Sequence, residues 1–203
     1  MVLANRLRAV TGAPACARCS RLGKHLCDSC ARSLSPAATP TIAGAAQVLA
    51  AWEYEGAARS LVLDLKLRGL RSTAGPLVAA TVATVRAAGL SGSVVAWVPG
   101  RRRDIRRRGF DHAAELATGL ARALGLPLVG ALTRRADPPD QTTLGAGERR
   151  ANVAGAFAAT GCTERVVLVD DLITTGATAT ECVRVLRDYA PSVEVVAPCA
   201  RGR

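Results

Sequence analysis

The chain is poor in aromatic residues, in acids and in long apolar runs. Phe, Trp and Tyr number two each and make up 3% of 203 residues, which weighs against a surface that stacks nucleic-acid bases on aromatic platforms. No apolar stretch approaches the ~20 residues of a membrane-spanning helix. The opening MVLANRLRAVTGAPAC is too weakly apolar and too interrupted for a secretory signal. Two phosphate-binding signatures are missing as well. Without a Gly-x4-Gly-Lys-Ser/Thr loop the chain is not a P-loop NTPase, and without Gly-x-Gly-x-x-Gly after a first strand it is not a dinucleotide fold. What remains is 49% hydrophobic and rich in Ala, Val and Leu, a balance that suits helices packed on a sheet in a soluble, cytoplasmic protein without membrane insertion.

Acids number 16 against 27 lysines and arginines, a formal charge of +11. Such an excess favours phosphate-bearing partners. It is concentrated in two places. Residues 1–45 carry Arg6, Arg8, Arg18, Arg21, Lys24 and Arg32 against Asp28, and Arg101 to Arg108 contains six arginines against Asp104.

The seven cysteines also divide. Cys162, Cys182 and Cys199 are scattered, while Cys16-x2-Cys19-x7-Cys27-x2-Cys30 forms two facing knuckles. Two turns that each place two thiolates on one side make a tetrahedral zinc site, and an odd count fits a reducing compartment better than a disulfide framework. His25 between the knuckles reads as a surface residue.

Beyond a short basic start at residues 1–10, Leu34–Thr41, with two prolines, reads as a linker. Val48–Tyr54 suits a strand and Gly56–Arg68 a helix stopped by Gly69, with Lys66 and Arg68 compensating its dipole. A helix over Pro76–Ala88 and a strand over Val94–Val98 follow. That strand runs into a basic loop, Pro99 to Phe110, at the position where open α/β sheets bind ligands; its arginine forks suit polyphosphate, nucleic acid or solvent alike. A helix from His112 to Leu124, strands at Leu128–Leu132 and Val153–Phe157, and a last strand at Val193–Ala197 complete the pattern. Thr133–Asn152 is a long polar stretch of the kind that covers an active site.

The most informative run is Arg165 to Thr180. Val166–Val169 reads as a strand buried on both faces and ends in Asp170 and Asp171. Thr174, Thr175, Gly176 and Thr178 lead into a helix carrying Ala179, Cys182, Val183 and Leu186 on one face. Carboxylates at a strand end beside a helix N-terminus suit a ligand bearing both hydroxyls and a phosphate, such as a ribose 5-phosphate.

Val166 to Thr178 resembles the phosphoribosyl pyrophosphate (PRPP) signature of type I phosphoribosyltransferases. Together with the four-cysteine knuckle, Val98-Pro99, Arg108-Gly109-Phe110, Arg134, Gln141, Arg149, Asn152-Val153 and Ala156-Phe157, it resembles the ComF family of competence proteins. Where that family usually shows Asn-Gln after Arg-Gly-Phe, this chain has Asp111-His112. The resemblance implies an α/β fold, with a type I phosphoribosyltransferase-like core in which helices flank a mostly parallel sheet. It places a zinc-knuckle module and linker at residues 1–42 and the core at residues 43–203. It further implies a PRPP site over Asp170, Asp171, Leu172, Ile173, Thr174, Thr175, Gly176, Ala177 and Thr178, and a pyrophosphate loop at Pro99, Gly100 and Arg101. The catalytic set would be Asp170, Asp171, Arg101, Arg134 and Arg149. Structural zinc would sit on Cys16, Cys19, Cys27 and Cys30, and magnesium would arrive with PRPP. Phosphoribosyl transfer in DNA uptake or nucleotide salvage is the leading expectation. A non-catalytic competence factor holding single-stranded DNA or a DNA-uptake helicase, and a PRPP sensor, are the rivals.

Overall fold

The computed structural model describes residues 14–135 and 153–202; the basic start at residues 1–10 lies outside them. Four strands form one parallel sheet: β1 (Gln47–Glu53), β2 (Val94–Trp97), β5 (Val166–Val169) and β6 (Val193–Ala200), in the order β1-β6-β5-β2. Every residue of β5 and β6 is buried, as expected of strands covered on both faces. Side chains alternate. Val166 and Leu168 pack with helix α6 (Ala177–Leu186), whereas Val167 and Val169 pack with α2 (Gly56–Arg68), α3 (Ala74–Ala88) and α5 (His112–Leu124).

This two-sided packing creates a crevice. The chain leaving β2 goes to α5 on one face, and the chain leaving the adjacent β5 goes to α6 on the other. Neighbouring strands whose exits diverge open a cleft at their carboxyl ends, where α/β sheets hold ligands.

Several segments differ from the sequence expectation. The basic stretch after β2 is mostly helical, as α4 (Arg102–Arg108), with Pro99 to Arg101 before it and Gly109 and Phe110 after it left outside the helix. Asp104 in its first turn and Arg106, Arg107 and Arg108 in its last complement the helix dipole, and Gly109 at φ +79° ends it. The strands expected at Leu128–Leu132 and Val153–Phe157 lie later, as β3 (Leu132–Arg134) and β4 (Phe157–Ala159), paired antiparallel. Val153 to Gly155 is a turn instead, with Ala156 N–H donating to the Val153 carbonyl. The proline-containing stretch after the knuckle runs along the sheet edge. Pro36 bridges Trp52, Ala37 donates to the Ala51 carbonyl, and Glu53 donates to the Ser35 carbonyl. On the opposite edge, Val95 exchanges hydrogen bonds with Pro127 and Val129. Short segments thus blunt both edges of the sheet.

At the amino end of the sheet, buried Glu194 of β6 accepts from Gly92 N (2.9 Å), Ser91 N (3.0 Å) and Ser91 Oγ (3.1 Å). A Cβ on Gly92 would lie 2.3 Å from Val167 Cγ2. Gly92→Ala should therefore destabilise the protein by roughly 1–3 kcal/mol through overpacking, read as a lower midpoint in chemical denaturation; an unchanged midpoint would show that the loop gives way freely.

Candidate functional site

Asp170 and Asp171 stand where the pairing of β5 with β6 lapses; it resumes at Ile173, which bridges Ala200. Asp170 N–H donates to the Val196 carbonyl, and Asp171 N–H donates to Asp170 Oδ1 at 2.8 Å. Both carboxylates are buried. Two charges cannot sit side by side in such a place without compensation.

Compensation comes from two residues outside the motif. Lys66 Nζ, on the last turn of α2, lies 2.9 Å from Asp171 Oδ2, and His112 Nε2, at the start of α5, lies 3.2 Å from the same oxygen. Lys66 was expected to compensate the helix dipole; its ammonium instead reaches the acid pair. The signal that could have pointed to it is weak, a lysine at the end of the helix that follows an edge strand. Asp111 is the N-cap of α5, accepting from Ala113 N (3.1 Å) and from Gly100 N (3.0 Å). The Asp111-His112 pair thus has a local account: the acid fixes the helix start and the Pro99–Gly100 turn, and the imidazole meets Asp171.

The charges follow from this geometry. Burial alone would raise the Asp171 carboxyl, but Lys66 and His112 outweigh it and hold Asp171 well below the usual carboxylate range. Burial first, and the neighbouring Asp171 charge second, push Asp170 up to about 8. The pair therefore carries one proton near neutral pH, with the charge on Asp171. Asp171 in turn raises Lys66 and secures its positive charge. Cys199, close enough to feel Asp171, is pushed up to about 12, by burial first, and is an inert thiol.

The loop from Leu172 to Gly176 carries the chain to α6. Thr174 and Thr175 are exposed, and Gly176 sits at φ +73° as the N-cap residue of α6 without a capping side chain. A Cβ there would also press on Ile42 Cγ1 at 3.4 Å, so the turn requires glycine. Ala177 and Thr178 begin the helix, and Ala177 N–H donates to Thr175 Oγ1 at 3.4 Å.

The Pro99 turn is adjacent, because Val98 N–H donates to the Val169 carbonyl. Arg134 of β3 joins it: Nη1 lies 3.4 Å from the Pro99 carbonyl, and the guanidinium stands over the Phe157 ring at 4.9 Å. Arg101 is half-exposed at the start of α4. The structure thus brings together Asp170, Asp171, Pro99, Gly100 and Arg134, with Arg101 one residue on. Arg149 and Gln141 lie outside the described residues. Glu181 of α6 accepts from Gly155 N at 2.8 Å, which ties the Val153–Gly155 turn to the same helix. A separate cavity of about 640 Å³ lies between α3 and α5, lined by Arg71, Glu115, Gly119 and Arg122 among others, and includes no residue of the acid pair.

The four cysteines make a second centre. Cys16 sits in a tight turn, with Ser20 N–H donating to its carbonyl, and Cys27 and Cys30 flank the first turn of α1 (Asp28–Arg32). All four sulfurs lie within 4.8 Å of one another, and Cys19 and Cys27 sulfurs are 3.6 Å apart. Four sulfurs at about 2.3 Å from a tetrahedral ion would be about 3.8 Å apart, so the cluster can hold zinc. His25 is not part of it. The cluster packs on Ala57 of α2. Among the described residues, no helix is long and apolar enough to cross a membrane.

Because Asp170 is raised in the folded state, it contributes stability below its ordinary value near 3.8 and loses it as pH climbs toward about 8. Asp171 works in the opposite sense and loses its contribution only under strong acid. Asp170→Asn should therefore flatten the fall in unfolding free energy between about pH 4 and about 8, leaving the variant more stable at the upper end by on the order of a few kcal/mol. Denaturation midpoints across that range check it, and a parallel decline in both proteins would contradict it.

Three solved structures are among those to which this chain is similar. Glutamine PRPP amidotransferase from B. subtilis, complexed with ADP and GMP, is 24% identical over 62% of this chain, with a TM-score of 0.44. UMP synthase from Leishmania donovani is 22% identical over 64%, with a TM-score of 0.37. Adenine phosphoribosyltransferase from Thermoanaerobacter pseudethanolicus is 14% identical over 66%, with a TM-score of 0.38. This chain spans 26%, 22% and 83% of their respective lengths. No curated protein matches the sequence. Residues 105–203 match the family model of the phosphoribosyl transferase domain, and this match, with a parallel sheet flanked by helices and a four-cysteine cluster before it, gives the chain a phosphoribosyltransferase-like α/β fold with an N-terminal knuckle.

Proposed function

We propose that this chain binds PRPP, or another ribose 5-phosphate ligand, at the carboxyl end of β5 and transfers the ribose phosphate to an acceptor. The observation that carries this reading is the buried acid pair beside the N-terminus of α6, where the Gly176 N-cap offers no side chain and Thr175 Oγ1 accepts from Ala177 N–H at 3.4 Å, within the span matched by the family model. Asp170 and Asp171 would meet the ribose hydroxyls. Thr174, Thr175 and the N–H groups of Gly176, Ala177 and Thr178 would hold the 5-phosphate, aided by the helix dipole. At C1 the bond to pyrophosphate breaks, its electron pair leaves with pyrophosphate, and the acceptor forms the new bond. An oxocarbenium-like centre of this kind is helped by fixed positive charge at the leaving group. Arg101 and Arg134, beside the Pro99 carbonyl, would take that role, joined in this reading by Arg149.

The acid pair does not fit a protein-held magnesium cage, because Asp171 Oδ2 already faces Lys66 and His112. Magnesium would come as part of the substrate, on PRPP oxygens and water, and neutralise the leaving pyrophosphate. Zinc on the four thiolates would be structural, fixing the knuckle against α2. The finer assignment to a ComF-like role in DNA uptake belongs to the same reading. One observation favours a second reading, contact with single-stranded DNA: α4 has no buried residue and presents a run of arginines. Neutralising Arg106–Arg108 should then shrink the slope of DNA affinity against salt, whereas an unchanged slope would place any DNA elsewhere.

PRPP with magnesium should raise the melting temperature by several degrees, since a hundredfold excess over Kd adds about 2.7 kcal/mol. The double substitution Asp170→Asn, Asp171→Asn should remove the shift. No shift in the unaltered protein at millimolar ligand would contradict the site. Release of pyrophosphate in the presence of a panel of bases then separates transfer from binding alone. Metal analysis should find one zinc per chain, lost when Cys16 and Cys19 are replaced by Ser.

A further inference from the structure

Lys66 lies far upstream of the acid pair and outside residues 105–203, yet its position is fixed from several sides. Gly69 ends α2 in the left-handed conformation, and Leu70 N–H donates to the Asp64 carbonyl, closing the last turn. The Lys66 carbonyl accepts from Arg108 Nη1 at 2.9 Å, so the end of α4 clasps the same residue. Its ammonium and the His112 imidazole fall on one oxygen, Asp171 Oδ2. Oδ2 thus faces two nitrogen-bearing side chains from two different helices, which restrains the carboxylate electrostatically. The lysine side chain is 39% exposed whereas Asp171 is only 7% exposed, so Lys66 lies at the boundary between the buried acid and solvent.

We infer that Lys66, assisted by His112, is the positioning residue of the ribose-phosphate site, holding Asp171 charged and in one orientation before the ligand arrives. This rests on the reading given under the proposed function. Without the ammonium, two neighbouring buried acids would face a single imidazole, and Asp171 would turn away or take up a proton. Either change removes an acceptor that a ribose hydroxyl needs. A lysine that merely joined α2 to the sheet would affect folding but not this acceptor. A lysine that occupied the ligand's place would have the opposite effect, and its removal would tighten binding.

Calorimetric titration of the full chain with ribose 5-phosphate, and with PRPP and magnesium, tests the inference. Lys66→Met should weaken both ligands by about tenfold or more, and Lys66→Arg should restore most of the loss. Because Lys66 acts through Asp171, the double variant Lys66→Met, Asp171→Asn should bind no more weakly than Asp171→Asn alone. Should Lys66→Met not fold, Lys66→Gln takes its place in the same comparison. Unweakened or tighter binding by the neutral variant, or losses that simply add in the double variant, would overturn the inference while leaving the site intact. If the unaltered protein binds neither ligand, the proposed function fails and this inference with it.

Discussion

Two adjacent carboxylates at the buried end of a central strand are a cost that the fold has to meet, and the ion pair between Lys66 and Asp171 is how it does so. The pair keeps Asp171 charged, while burial first and the Asp171 charge second hold the proton on Asp170. It also links three elements distant in sequence. Lys66 comes from α2, His112 from α5 and the acids from the end of β5. The site is therefore assembled by the tertiary fold, not by the acidic motif alone. Removing Lys66 would leave the buried Asp171 carboxylate without its nearest cation, which makes this contact the point at which stability and ligand recognition meet.

The surrounding architecture delivers those groups with little freedom. β5 is central, covered by α6 on one face and by α2, α3 and α5 on the other. Asp111 ties the start of α5 to the Pro99–Gly100 turn, which keeps His112 in place. Glu181 ties the Val153–Gly155 turn to α6, and the β3–β4 hairpin brings Arg134 to the Pro99 carbonyl. Two rim arginines of the groove between α3 and α5 are engaged locally, Arg71 with Glu115 and Arg86 with the Ala123 carbonyl.

Much of this was legible in the sequence, for identifiable reasons. An unbroken apolar run such as Val166–Val169 has one economical fate in an α/β protein, and the residues that follow it announce a helix start. The paired Cys-x-x-Cys spacing is equally local, and the sulfurs meet. Lys66 and His112 were not legible as site residues because their partner is far along the chain, and local rules explain a terminal lysine equally well through the helix dipole. The arginine run hides its helical tendency because it has no apolar face; α4 has no buried residue. The stretch Leu34–Thr41 looked like a linker from its prolines, yet an edge strand can pair with such a segment through a few hydrogen bonds.

The central claim is that the strand end carrying Asp170 and Asp171 and the start of α6 together form one ribose-phosphate site. Backbone amide chemical shifts recorded during titration with ribose 5-phosphate address it directly, because they report each position separately. The amides of Asp171, Gly176, Ala177 and Thr178 should move together and saturate at one ligand per chain. Shifts confined to the α4 arginines or to the groove between α3 and α5, with the Asp171 and Gly176 amides unmoved, would contradict it.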